Sequence, residues 1–130
     1  MNKNIVEEIE HIARHYKLVK LRRRCRQCKR RNEYEIEFTS DRTIKHNKPH
    51  ILLVVYSDMF DETITRVCIE SVKPITRSAS VTNTLYTYSI KDTATPTFQR
   101  SFLTRLSTVL GKALMKLESM NRQVNKIYEL

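Results

Sequence analysis

Glycine is almost missing from this chain. One glycine and three prolines occur in 130 residues, so no glycine-rich loop is available to cradle a nucleotide phosphate. The same scarcity argues against a disordered chain. Long apolar runs are missing too. The longest, ILLVVY at residues 51–56, falls far short of the roughly 20 residues that span a bilayer, so no transmembrane segment is expected. The opening MNKNIVEEIEH carries acids where a secretory leader would be apolar. The expected location is nuclear or cytoplasmic, where the three cysteines stay reduced. Acidic residues are also in short supply: 14 Asp and Glu stand against 24 Lys and Arg, a net charge of +10. That excess favours an anionic partner such as RNA, DNA, acidic lipid or an acidic protein surface. Solubility is the competing use of the same charge.

What is present supports one core. Apolar residues make up 40% of the chain, with four Phe and six Tyr, enough for a single domain over residues 1–130. Ile5, Val6, Ile9, Ile12, Ala13 and Tyr16 recur at helical spacing, and Asn4 with Glu7 three positions later reads as a capping box. From Lys17 the period changes to alternation. Val19, Leu21 and Cys25 read as one face of a strand, with Arg22, Arg24 and Arg26 on the other. EYEIEF alternates without a fault, Tyr34, Ile36 and Phe38 inward and Glu33, Glu35 and Glu37 outward. HILLVVYSD reads as a buried strand, TITRVCIESVKPITR as a strand ending or bulging at Pro74, and LYTYSI as the last strand. Thr95-Pro96 opens a C-terminal helix. There Leu103, Leu106, Leu110, Ala113, Leu117, Met120, Val124 and Ile127 repeat at three-four spacing, a heptad seam. The pattern predicts an α+β fold: an antiparallel sheet of four to five strands with the N- and C-terminal helices packed on one face. The helix over 96–130 is expected to run past the domain, offering Leu110, Leu117, Met120, Val124 and Ile127 to a helical partner or to a second copy in a homodimer. A long core helix with a frayed end is the alternative.

The stretch KLVKLRRRCRQCKRR, residues 17–31, holds nine Lys or Arg. In a hairpin its outward arginines would face Glu33, Glu35 and Glu37, and opposite charges across a strand pair are worth a few tenths to about 1 kcal/mol. The acids are too few. Residues 17–50 contain twelve Lys or Arg against four acids, a surplus of eight. Such a surplus suits a phosphate backbone, where each contact releases counterions and arginine can fork onto two oxygens. Lys20, Arg22, Arg24, Arg26, Arg30, Arg31, Lys45 and Lys48 are the expected phosphate contacts. The C-terminal helix adds Arg100, Arg105, Lys112, Lys116, Arg122 and Lys126.

Two other chemistries are weighed against this. Cys25-x-x-Cys28 has zinc-knuckle spacing, with His11 and His15 upstream and His46 and His50 downstream. A strand over 17–26 puts His15 roughly 30 Å of chain from Cys25, so strand and metal site exclude each other and no metal is expected. A cysteine among arginines is a candidate thiolate, yet no base can be paired with it. No cofactor and no enzymatic activity are expected.

The segment LYTYSIKDTATPTFQRSFLTRL, residues 85–106, resembles the end of the kinase-associated C-terminal domain: an alternating strand, a polar link, and a helix opening on Phe98, Arg100 and Phe102. The helix–strands–helix order is also similar to the RWD domains of kinetochore proteins and to the Alu-RNA-binding subunits of the signal recognition particle. These resemblances imply, respectively, acidic-lipid or intramolecular binding, a protein-adaptor role, and RNA binding. None implies catalysis. The leading expectation is a non-enzymatic basic module that binds RNA or another nucleic acid within a multi-subunit assembly. The alternative is a scaffold or adaptor working through the C-terminal helix, or a binder of acidic lipid.

Overall fold

The change of period at Lys17 is where the first helix stops. The computed structural model describes residues 2–24, 33–41, 48–58, 64–76, 79–89 and 96–128. In chain order these form helix α1 (Asn2–His15), strands β1 (Val19–Arg24), β2 (Glu33–Thr39), β3 (His50–Asp58), β4 (Ile64–Pro74) and β5 (Ser80–Ser89), and helix α2 (Pro96–Tyr128). The strands make one antiparallel sheet in the order β1-β2-β3-β4-β5, so each strand pairs with its neighbour in sequence and β1 and β5 are the edges. Among the described residues no helix is long and apolar enough to cross a membrane.

The core lies between one sheet face and both helices. Phe38 of β2, Ile51, Leu53 and Val55 of β3, and Val67 and Ile69 of β4 meet Ile9 and Ala13 of α1 and Phe102, Leu106 and Leu110 of α2. These strand positions alternate, and the helix positions recur every three or four residues, as burial on one face requires. Tyr88 of β5 stacks on Phe102, ring centroids 4.4 Å apart. α2 contacts β3, β4, β5 and α1. This is the α+β layout expected from the patterning.

Boundaries moved for identifiable reasons. α1 starts at Asn2, so Asn4 stands inside the helix rather than capping it. β4 ends at Pro74, whose missing N–H suits a strand terminus. β5 begins at Ser80, five residues before the alternating LYTYSI. Ser80–Thr84 are exposed throughout, so no in–out pattern marked them as strand. The register between β4 and β5 shifts between Ile69 and Glu70. Ile69 pairs with Tyr86 and Glu70 with Thr84, which leaves Leu85 as the extra, bulged residue.

The end of α1 is built from two reciprocal backbone bonds. Leu18 N donates to Ala13 O at 2.9 Å and Lys17 N to Arg14 O at 3.0 Å, with Lys17 in the left-handed region at φ 59°. This cap occupies the last orphan carbonyls of the helix and brings Leu18 against the core beside Ala13. The chain's single glycine stands where α1 and α2 touch. A Cβ at Gly111 would lie 2.8 Å from the Tyr16 hydroxyl, and that hydroxyl donates to Ser107 O at 3.0 Å.

Candidate functional site

The parity of β1 is set by the α1 cap. Because Leu18 docks in the core, alternation carries residues 20, 22 and 24 to the helix-bearing side and 19, 21 and 23 to the other. The pairing with β2 agrees: Lys20 lies opposite Phe38, Arg22 opposite Ile36 and Arg24 opposite Tyr34, while Leu21 lies opposite Glu37 and Arg23 opposite Glu35. The expected pairing of Arg22 and Arg24 with the β2 glutamates is therefore corrected. A one-residue slip exchanges the two faces of a strand, and Leu18, rather than Val19 and Leu21, decided which way β1 went. Only Arg23 directly opposes a glutamate.

The candidate phosphate contacts distribute as follows. Lys20 is exposed, and its Nζ reaches Glu10 Oε1 of α1 at 2.5 Å. Glu10 also lies 3.8 Å from Arg14. An acid ten positions earlier in the chain, on a different element, thus shares the charge of Lys20, and no sequence pattern announced it. Arg22 and Arg24 occupy the edge strand at the register positions given above. Lys48 is exposed at the entry to β3, and its carbonyl accepts a 2.8 Å bond from His50 Nδ1, which fixes that nitrogen as the protonated one. Arg26, Arg30, Arg31 and Lys45, together with Cys25, Cys28 and His46, lie outside the described residues.

The helix-free face of the sheet is chemically different from the expected basic surface. Its centre is a second apolar cluster of Leu52, Val54 and Cys68, joined by Tyr56 and Val72. Around it stand Glu35 and Glu37 of β2 and Glu70 and Arg66 of β4. The Arg66 guanidinium lies 4.1 Å from the centre of the Tyr56 ring. Burial, then the charge of Glu35, raises the Tyr56 hydroxyl above its ordinary value, with Arg66 pulling the other way. Burial, then the neighbouring charge of Glu37, raises the Glu70 carboxyl, again against Arg66. This face therefore mixes the carboxylates Glu35, Glu37 and Glu70 with Arg66, and Arg23 lies opposite Glu35 in the β1–β2 register. Among the described residues, exposed basic side chains also stand at the β1 edge (Lys20) and on α2 (Arg105, Lys112 and Lys116).

No protein-family model, curated protein or solved structure matches the chain.

On α2, Arg105, Lys112 and Lys116 are exposed, seven and four residues apart, and so fall on one stripe. Arg100, Arg122 and Lys126 are also on α2. The Lys20–Glu10 contact places α1 on the β1 side of the helix layer, so α1 stands between the β1 edge and the α2 stripe. Among the described residues no group of three or more His, Cys, Asp or Glu is placed to hold a metal. His11 and His15 are exposed on α1 and His50 is buried at the start of β3. Of the residues expected to face a partner helix, Leu110 is fully buried in the domain's own core, and Leu117 packs partly against the same core. Leu110, expected on the partner face, belongs instead to the half of the seam that packs on the sheet. Met120, Val124 and Ile127 continue the seam along α2.

Proposed function

We propose that this protein is a non-enzymatic nucleic-acid-binding module, with RNA the leading ligand, that holds phosphates along the β1 edge and works within a larger assembly. One observation carries the reading. The β1–β2 register puts positions 20, 22 and 24 on the face opposite to Glu35 and Glu37, so the strand's own partner does not neutralise them directly. An edge strand rich in lysine and arginine attracts a phosphate chain and releases its counterions, with Lys20 exchanging Glu10 for phosphate. Lys20, Arg22 and Arg24 are the inner contacts, and Arg26, Arg30, Arg31, Lys45 and Lys48 extend the set. Such contacts position a backbone and carry little base preference.

Fluorescence anisotropy with a labelled single-stranded RNA, measured across salt concentrations, tests this. Affinity is expected to fall steeply with salt. The change Arg22→Ser with Arg24→Ser is expected to weaken binding and to reduce the log–log salt slope by about 1 to 2, with the thermal midpoint little changed. Salt-independent binding, or binding untouched by the two changes, refutes the reading. Anionic lipid vesicles serve as the competing arm. If they bind with the same dependence on Arg22 and Arg24 while RNA does not, the acidic-lipid alternative replaces it.

The length of α2 favours a second reading, an adaptor role. The helix runs on from Leu117 to Tyr128 with the seam positions 120, 124 and 127. Val124→Asp with Ile127→Asp, beyond the part of α2 that packs on the core at Leu117, is expected to abolish capture of a partner helix while RNA binding persists.

A further inference from the structure

The two edges of the sheet are unlike each other. β1 reads VKLRRR, four basic residues in six, and a charged edge resists pairing with another strand. β5 reads SVTNTLYTYS: ten residues with no charge, no proline and no glycine, in a chain of which 29% is charged. Valine, threonine and tyrosine are strong strand formers. Among the described residues β5 pairs only with β4, and most of its residues are exposed. Val81 and Leu85 are 43% and 45% exposed, and Ile75, just after β4, is 64% exposed. Among the described residues, three of the four large exposed hydrophobics, Met115 being the other, therefore lie on or beside this edge. The bulge at Leu85 divides this edge, and the uncharged runs Ser80–Thr84 and Tyr86–Ser89 on either side of it are the parts that invite a further strand.

We propose that β5 is the interface for a second copy of this chain, the two β5 strands pairing antiparallel to join two five-stranded sheets into one of ten strands. The occupant follows from charge. Two chains of net charge +10 repel over most of their surfaces, and at β5 the meeting strands are uncharged, with Arg66 and Lys73 set back one strand on β4. An acidic or basic peptide would find no charged partner there. Antiparallel pairing of a strand with its own copy is a closed two-fold contact, in which residue i meets j and j meets i. The free edges of the product are two β1 strands, both heavily basic, so growth stops at the dimer. This inference stands apart from the nucleic-acid reading, because it uses neither β1 contacts nor phosphate.

Sedimentation equilibrium of the full chain under reducing conditions, at salt high enough to screen the net charge, is the test. A monomer–dimer equilibrium is expected. Val81→Lys and Leu85→Lys, at positions already nearly half exposed, are expected to weaken it by about tenfold or more each, since every substitution counts twice across a two-fold. Amide hydrogen exchange supplies the second measurement. Amides of β5 that point away from β4 are expected to gain protection as protein concentration rises, and if a lysine variant loses its helical circular dichroism, this wild-type pattern decides alone. A monomer at all concentrations overturns the proposal. So does a dimer that keeps its affinity in both variants, or one whose outward β5 amides stay unprotected, because the contact then lies elsewhere. Open-ended aggregates in place of a dimer overturn it too.

Discussion

Replacing Gly111 by alanine should expose how tightly α1 is seated on α2. A glycine inside a helix costs about 1 kcal/mol relative to alanine, so the bare expectation is a gain of that size. Here the new Cβ would stand 2.8 Å from the Tyr16 hydroxyl, closer than such atoms approach. Tyr16 must move, which forfeits its 3.0 Å bond to Ser107 O, worth about 1 kcal/mol net. Displacing the ring from a half-buried seat adds an overpacking cost of about 1 to 2 kcal/mol. Gly111→Ala alone is therefore expected to destabilise by about 1 to 2 kcal/mol. In a Tyr16→Phe background the offending oxygen is gone, and the nearest remaining ring atom, Cζ, lies 3.4 Å from the new methyl. There the same substitution is expected to stabilise by about 0.5 to 1 kcal/mol. Urea unfolding of the four proteins, followed by circular dichroism, measures the cycle, and a coupling of about 2 kcal/mol is expected. Effects that add within about 0.5 kcal/mol refute the reasoning, for they would mean that the helices do not meet at this glycine.

Lys17→Gly is expected to stabilise by up to about 1 kcal/mol, because Lys17 holds a left-handed conformation that glycine adopts without strain; a loss of stability by thermal unfolding counts against the cap described above. Glu70 gives a pH dependence. Its carboxyl is raised above 4.5 in the fold, first by burial and then by Glu37, so the folded state favours the protonated form. That contribution is full below the unfolded value and is lost as pH rises through the folded one. Glu70→Gln is accordingly expected to be more stable than wild type near neutral pH, with the advantage vanishing toward about pH 4; a pH-independent difference removes the burial argument. Leu110→Ala is expected to cost about 2 to 5 kcal/mol of folding stability, measured by urea unfolding, because the residue is fully buried; a loss under 1 kcal/mol would mean that α2 is not anchored there.

Much of the fold was legible because burial is periodic. HILLVVYSD coincides with β3, Pro74 ends β4, and the leucines at 106 and 110 do face the sheet. The hairpin's faces were not legible. Val19 and Leu21 are the apolar residues of β1, yet they oppose Thr39 and Glu37. Their side of the strand was assigned by the helix cap immediately upstream, at Lys17 and Leu18, and a cap's direction is a three-dimensional fact. The basic strip was visible as a count of charges, but its neutralisation was not. Glu10 meets Lys20 only because α1 folds back over β1. The uncharged run from Ser80 to Ser89 was present in the sequence as a gap in the charge pattern, and it acquired meaning only when the sheet order made β5 an edge.

By itself the sequence determined the class of the protein. Period-2 and period-3.6 burial dictate strands between two helices, and 24 bases against 14 acids dictate a positive surface. Tertiary structure decided which face of β1 positions 20, 22 and 24 take and which strands are edges. A strand's two faces are chemically interchangeable until something packs against one of them, and an edge exists only once the order of the strands is settled.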